Sequence, residues 1–200
     1  MNPEQLLQQL AFIQEIDKLK YIQRTTKLFN SDRRENDAEH SWHLAVMALV
    51  LARYANEPVD ILKVLKMLLI HDIVEIDSGD VFLFDTVLTH DNAVSERKAA
   101  ERIFGLLPED QKEEFKTIWE EFEAGESAES KFAKAIDRLE PVLQNVSNEG
   151  GTWKEYKVSY EKVIAKVSSI QNGSSFIWDF TKTMIDETAR KGFIQRDEDM

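Results

Sequence analysis

The sequence predicts an all-α fold in a single domain, and three observations carry this prediction. The chain of 200 residues has only 7 glycines and 4 prolines, a scarcity that favours long helices over many short strands. Apolar residues recur at helical spacing in most segments. No two segments show the alternating pattern and turn residues of a β-hairpin. A chain of this length fits one domain, residues 1–200, with a sizeable core.

The first 80 residues contain three predicted helices. Asn2 and Pro3 suit a helix start, as an N-cap and a first-turn residue, and the apolar period that follows is broken near Asp17. A polar connector separates the first helix from the second, and Pro58 ends the second. The three helices are expected to cover residues 3–22, 38–56 and 59–70.

An irregular apolar stretch at 81–95 predicts a loop or lid. The rest of the chain is again predicted to be helical. Gly125 just past a helical segment and the turn sequence at 148–153 mark two boundaries. The last helical region is interrupted at 172–175. These helices are expected to cover residues 93–105, 108–124, 127–147 and 156–190.

Composition excludes several classes of function. The net charge of −12 argues against nucleic acid as a partner, because phosphate backbones recruit basic surfaces. The absence of cysteine excludes disulfides and thiolate metal sites. No apolar run reaches the ~18 residues of a membrane span, and the polar N-terminus does not resemble a signal peptide. A cytoplasmic location without membrane attachment is therefore expected.

An acidic cluster follows the most apolar helix. The segment 67–70 leads directly into His71 and Asp72, and Glu75 and Asp80 follow within nine residues. Buried charges are costly unless they are paired, so this cluster requires a partner. A cation bound by imidazole and carboxylate groups would provide one.

Other candidate ligands have plausible structural roles when each is considered alone. His40 and His43 share a helix face, and either histidine could simply extend the apolar stripe. His71 could donate to a backbone carbonyl. Asp137 adjoins an apolar helix face, and it could pair with a basic neighbour or bind a metal.

Taken together, these residues form the pattern H…HD…D, which resembles the HD-domain superfamily of metal-dependent phosphohydrolases. The segments "RRENDAEHSWHLAVMA", "HDIVEIDSGD" and "AIDRLEPVLQ" are similar to the motifs of its small bacterial 5′-deoxynucleotidase branch. The resemblance covers roughly residues 15–145, and the C-terminal helices at about 153–191 match only in being helical. It implies an HD-domain helical bundle.

The resemblance also implies roles for individual residues. The metal ligands would be His40, His71, Asp72 and Asp137. The cofactor would be a divalent ion, and a mixed nitrogen and oxygen set suits Mn, Co, Fe, Ni or Zn, with Mg also considered. His43 lies outside the ligand set and is expected to be structural.

The remaining implied residues concern catalysis and the substrate. Glu75 would orient or deprotonate the attacking water, and Asp80 would line the substrate pocket and serve catalysis. Arg24 would meet the substrate phosphate, with Arg33 and Glu39 nearby. In the relatives a tryptophan follows this arginine and packs near the sugar, whereas this chain has Thr25. Weaker selection against ribonucleotides is therefore expected.

The expected function is hydrolysis of nucleoside (deoxy)5′-monophosphates to nucleoside and phosphate. The alternatives are a non-catalytic HD-like module that binds a nucleotide or a partner protein, and a phosphodiesterase or nucleoside-triphosphate hydrolase of the same superfamily. The resemblance implies a homodimer, and aromatic residues are frequent in the C-terminal region, where they could line an interface or cover the bundle.

Overall fold

The computed structural model describes residues 2–85 and 89–199, and it confirms the predicted all-α class. Helices account for most of this part of the chain, and its one sheet has two strands. The helices are α1 (Pro3–Ile16), α2 (Asp37–Leu51), α3 (Ile61–Ile70), α4 (Glu75–Ser78), α5 (Thr89–Phe104), α6 (Glu109–Ala124), α7 (Ala128–Ser147), α8 (Gly151–Glu155), α9 (Tyr160–Val167), α10 (Ile170–Gly173) and α11 (Ser175–Arg190). No helix among these described residues is both long enough and apolar enough to cross a membrane.

Side-chain caps fix where the first helices begin. Asn2 Oδ1 accepts a hydrogen bond from the Glu4 backbone N–H at 3.0 Å, as the sequence predicted. The predicted break near Asp17 is also confirmed, since α1 passes there into a 3₁₀ turn. At the start of α2, Asn36 and Glu39 form a reciprocal capping box. This cap sets the orientation of the helix that carries His40.

A short β-hairpin between α1 and α2 contradicts the expectation that no strands pair. Strands β1 (Gln23–Lys27) and β2 (Arg34–Asn36) are antiparallel, and an irregularity in register lies between the pairs Gln23–Asn36 and Lys27–Arg34. The strands are short and polar, without the alternating apolar residues that identify a strand in a sequence. The hairpin places Arg24 beside the ends of the central helices.

The expectation of a loop or lid over residues 81–95 was wrong in its second half. Residues 81–85 are irregular, but α5 begins at Thr89. The polar residues of its first turn show no apolar period, which is why the sequence pattern began the helix later. Residues 86–88 of the predicted loop lie outside the described residues.

Helix α7 is central to the bundle and packs against α2, α3, α6 and α10. Its apolar face, with Phe132 and Ile136 fully buried, meets Leu68 of α3 in the core. The close approach of α10 requires Gly173, because a Cβ atom there would lie 2.2 Å from the Lys131 carbonyl oxygen. The predicted interruption at 172–175 is confirmed, since α11 begins anew after Ser174.

Candidate functional site

Three helical elements bring together the four residues predicted as metal ligands. His40 is the fourth residue of α2, Asp137 lies in the middle of α7, and His71 and Asp72 open the 3₁₀ turn that continues α3. His40 Nε2 lies 3.1 Å from Asp137 Oδ1 and 4.0 Å from Asp72 Oδ2. His71 Nε2 lies 3.0 Å from Asp72 Oδ1 and 3.7 Å from Asp137 Oδ1.

These distances match the spacing of ligands around a single ion. Two donor atoms that are each about 2.1 Å from a metal lie about 3.0 to 4.2 Å apart, for angles between 90° and 180° at the ion. Asp137 Oδ1 lies within that range of both ring nitrogens, at 3.1 and 3.7 Å, and Asp72 approaches His40 through Oδ2 at 4.0 Å and His71 through Oδ1 at 3.0 Å. His40, His71 and Asp72 are buried and form a group with the composition and spacing of a metal site.

The orientation of His71 frees one ring nitrogen for a ligand. Nδ1 lies 3.1 Å from the Leu68 carbonyl oxygen, which can only accept, so Nδ1 carries the donated hydrogen. Nε2 of the neutral ring is then a lone-pair donor, and it is buried without a hydrogen-bond partner although Asp72 is near. Burial lowers the pKa of His71, but the carboxylates of Asp72 and Asp137 outweigh this effect and raise it. These carboxylates require a positive charge here, which a proton or a metal ion can supply.

Two buried carboxylates that the sequence prediction missed lie beside His40 at ion-pair distance, without a hydrogen bond to its ring. Its Nδ1 lies 3.2 Å from Glu35 Oε2 and 3.4 Å from Glu140 Oε2, so the opposite nitrogen faces Asp137. Glu35 and Glu140 are 1% and 0% exposed. Glu35 also accepts a hydrogen bond from the Gln144 side chain at 3.0 Å. Such outer partners fix the tautomer and the ring orientation of a metal-binding histidine.

Asp137 faces the two imidazoles. The sequence left open a pairing with Lys134 or Arg138 as an alternative to metal binding, and no hydrogen bond or ion pair to either is found among the described residues. Burial raises the pKa of Asp137, but its contacts with His40 and His71 hold that pKa well below its usual range.

Arg24 lies at the edge of this cluster, surrounded by acidic side chains. Its Nη1 is 3.0 Å from Asp72 Oδ2, 3.3 Å from Asp37 Oδ1 and 3.8 Å from Asp80 Oδ1. Its Nε lies 3.7 Å from Glu35 Oε2. Burial opposes the charge of Arg24, but the carboxylates of Asp72 and Asp80 outweigh it and keep its pKa above the ordinary value.

Asp37, Glu75 and Asp80 form a second acidic group around Arg24. Asp37 is fully buried, and burial together with the charge of Asp72 raises its pKa to about 7. Burial and the same neighbouring charge raise the pKa of Glu75 well above its usual value. Glu75 Oε2 has no hydrogen-bond partner among the described residues. This group can therefore hold or release a proton near neutral pH.

A cavity of about 460 Å³ opens onto the cluster. One wall carries Arg24, Thr25, Glu75 and Asp80, beside His71, Asp72 and Asp137. Five aromatic side chains also line the cavity: Phe82, Phe84, Trp119, Phe122 and Trp153. Its volume and its mixture of apolar and polar walls suit a small organic molecule with a charged group.

Several predicted neighbours lie elsewhere. Arg33 and Glu39 form a surface ion pair at 3.0 Å and do not line the cavity. His43 lies 3.1 Å from Glu140 Oε1 and is outside the group around His40 and His71.

Comparisons with known proteins agree with this arrangement. The model of the HD domain family matches residues 16–178. A 5′-deoxynucleotidase HDDC2 of Bos taurus is 30% identical over 174 residues, which are 81% of this chain and 83% of the relative. The Homo sapiens protein of the same name is 33% identical over 136 residues, 68% of this chain and 65% of the relative.

A crystal structure of a predicted metal-dependent phosphohydrolase from Magnetospirillum magnetotacticum MS-1 is also similar. It is 50% identical to this chain, with a TM-score of 0.92, and the match covers 96% of each chain. The resemblance predicted from the motifs is therefore confirmed, and this chain belongs to the HD domain family.

Proposed function

We propose that this protein is a metal-dependent phosphohydrolase that converts nucleoside 5′-monophosphates to nucleoside and phosphate. The observation that carries the proposal is the convergence of two imidazoles and two carboxylates beside a cavity that also contains an arginine. Relatives named 5′-deoxynucleotidase and a structural neighbour named a metal-dependent phosphohydrolase support the same enzyme class.

His40, His71, Asp72 and Asp137 would hold the metal. A divalent ion bound there would acidify a water molecule and offset negative charge on the phosphoryl group. Two nitrogen and two oxygen donors favour Mn²⁺, Fe²⁺, Co²⁺, Ni²⁺ or Zn²⁺, whereas Mg²⁺ prefers oxygen ligands.

Glu75 is proposed as the base that accepts a proton from the attacking water. It lines the cavity one turn after His71, and Oε2 is buried without a hydrogen-bond partner in the described structure. Its raised pKa places its proton exchange closer to neutral pH, where a general base is most effective.

Asp80 and Arg24 are proposed to act on the substrate side. Asp80 is proposed to pass a proton to the leaving 5′-oxygen of the nucleoside, and burial, which raises its pKa, favours the proton-carrying form that this role needs. Arg24 can bind phosphate oxygens with a planar guanidinium, which suits two of them at once. Thr25 adjoins Arg24 on the cavity wall, and its small side chain leaves room for a ribose 2′-hydroxyl.

A phosphate-release screen would test the proposed function. The purified protein, reloaded with each candidate metal, is assayed against deoxy- and ribonucleoside monophosphates, triphosphates and a phosphodiester. We expect release from monophosphates, and the same protein stripped of metal should release none. Phosphate release only from a triphosphate or a diester would assign one of the alternative hydrolase activities instead. No release from any substrate with any metal would reject the proposed function.

We also propose a homodimer. Tyr54 stacks on Phe176 at 4.9 Å, and Phe180 lies 5.3 Å from Phe176, so three rings form a surface patch. Phe176 and Phe180 are exposed, and aromatic side chains are enriched at protein interfaces. Phe176→Glu should reduce the mass measured by light scattering from dimer to monomer, and a monomeric wild type would reject the proposal. The cytoplasmic location stays a prediction.

A further inference from the structure

Helix α7 presents a polar stripe to the cavity beyond the predicted ligand Asp137. Lys134, Arg138 and Asn145 line the cavity with it, at spacings that place them along one side of the helix. Arg138 is half-buried and directly follows Asp137. Both Asp137 and Arg138 line the cavity, so the long side chain of Arg138 can extend toward a molecule held there.

Arg24 already has four acidic side chains of the protein around it. Asp72, Asp37 and Asp80 lie within 3.8 Å of its Nη1, and Glu35 lies 3.7 Å from its Nε. Much of the positive charge of this guanidinium is therefore directed to groups of the protein itself. A phosphate monoester carries a charge of about −1.5 to −2 at neutral pH. Its binding requires positive charge that is not already neutralised.

The other cationic side chains that line the cavity differ in whether a bound anion could use their charge. Lys134 Nζ donates to the Glu123 carbonyl oxygen at 3.1 Å and lies over the Phe122 ring. Lys166 is exposed, where water screens its charge. Arg138 forms no hydrogen bond or ion pair with another described residue, and its charge acts on the adjacent Asp137 carboxylate. Among the described cavity residues, Arg138 is therefore the arginine whose planar donors have no hydrogen-bond partner in the protein.

We propose that Arg138 contacts the substrate phosphate and determines specificity for the phosphomonoester. This inference rests on the proposed function and deepens it. A second guanidinium on the same cavity favours a doubly charged monoester over a singly charged diester, because the additional negative charge is met by an additional cation. Its planar donors also suit two phosphate oxygens at once, which a lysine ammonium cannot reproduce.

The test compares Arg138→Met and Arg138→Lys with Arg190→Met, a control that removes the same charge from the exposed end of α11. The measurements are KM for a nucleoside monophosphate, the inhibition constant of inorganic phosphate and the bound metal. For Arg138→Met we expect both constants to rise about 10- to 100-fold, the size of a lost charge-assisted hydrogen bond, with unchanged metal content. Arg138→Lys should be intermediate, and the control should equal the wild type.

Two results would overturn the inference. One is a folded Arg138→Met protein with wild-type KM and phosphate inhibition. The other is loss of metal with normal phosphate inhibition after reloading, since Arg138 would then act only through Asp137. If Arg138→Met does not fold, Arg138→Lys decides the question, because an unchanged KM in that variant contradicts a planar contact.

Failure of the proposed function can be told apart from failure of the inference about Arg138. A wild type that hydrolyses no monophosphate rejects that function. Calorimetric titration of the metal-loaded protein with inorganic phosphate then still tests Arg138 without turnover, and equal affinities of wild type and Arg138→Met would reject the inference.

Discussion

The substitution Glu140→Gln tests whether the buried carboxylates behind His40 support metal binding. Glu140 is fully buried on α7, with one oxygen 3.4 Å from His40 Nδ1 and the other 3.1 Å from His43 Nδ1. Glutamine has nearly the same shape, but one of its two terminal atoms is an NH₂ group. Glutamine also carries no negative charge, so both histidines lose a carboxylate neighbour whichever way the amide turns.

The expected magnitude follows from this lost contact. A buried hydrogen bond to a charged group contributes about 1.5 to 3 kcal/mol, and every 1.4 kcal/mol changes an equilibrium constant about tenfold. Glu35 remains 3.2 Å from His40 Nδ1 in the variant, so the His40 ring keeps one of its two carboxylate neighbours. We therefore expect metal affinity to fall about 10- to 100-fold, the range observed for outer partners of metal ligands.

Metal affinity is measured by competition with a chelator of known affinity, with circular dichroism as the check on folding. Glu187→Gln on the exposed face of α11 is the matched control and should bind metal as the wild type does. Wild-type metal affinity in a folded Glu140→Gln protein would refute the role assigned to this carboxylate.

Three further predictions concern catalysis, specificity and stability. Glu75→Ala should lower kcat by about 100-fold or more with near-normal metal content, and loss of the metal instead would make Glu75 a ligand. Thr25→Trp should shift the ratio of kcat/KM for a deoxy and ribo pair toward the deoxy substrate by about 10- to 200-fold, whereas strict deoxy selectivity in the wild type would assign discrimination to another residue. Leu68→Ala should cost about 2 to 5 kcal/mol in the free energy of unfolding, measured with urea, because Leu68 is fully buried, and a cost below about 1 kcal/mol would contradict its place in the core.

Helices were predictable from this sequence because their signals are local. Apolar periodicity located α3 and α7, and Gly125 lies in the left-handed conformation at the end of α6, as expected of a glycine there. The β-hairpin was missed because its stability does not come from its own sequence. The side chain of Arg34 pairs with Glu155 of α8 at 3.0 Å, and Arg24 lies 3.0 Å from the carboxylate of Asp72. Such contacts form only when the bundle has assembled.

The four candidate metal ligands could be proposed from the sequence because each of them lies in a short motif. Glu35, Asp37 and Glu140 were missed because the chain has 37 acidic residues and spacing alone does not identify the buried ones. A signal was present for Glu140, which is three residues after Asp137 and adjoins the same apolar face. Two carboxylates there imply a shared cationic or imidazole partner.

The most direct test of the account is the metal content of the wild type and of His71→Ala and Asp72→Ala, measured by elemental analysis beside phosphate release. Asp179→Ala on exposed α11 is the control for Asp72→Ala. We predict a stoichiometric divalent ion and turnover in the wild type and the control. Both site variants should lose the ion and the activity while keeping their helical content. A folded His71→Ala or Asp72→Ala protein that retains wild-type metal content and turnover would contradict the assignment of the site.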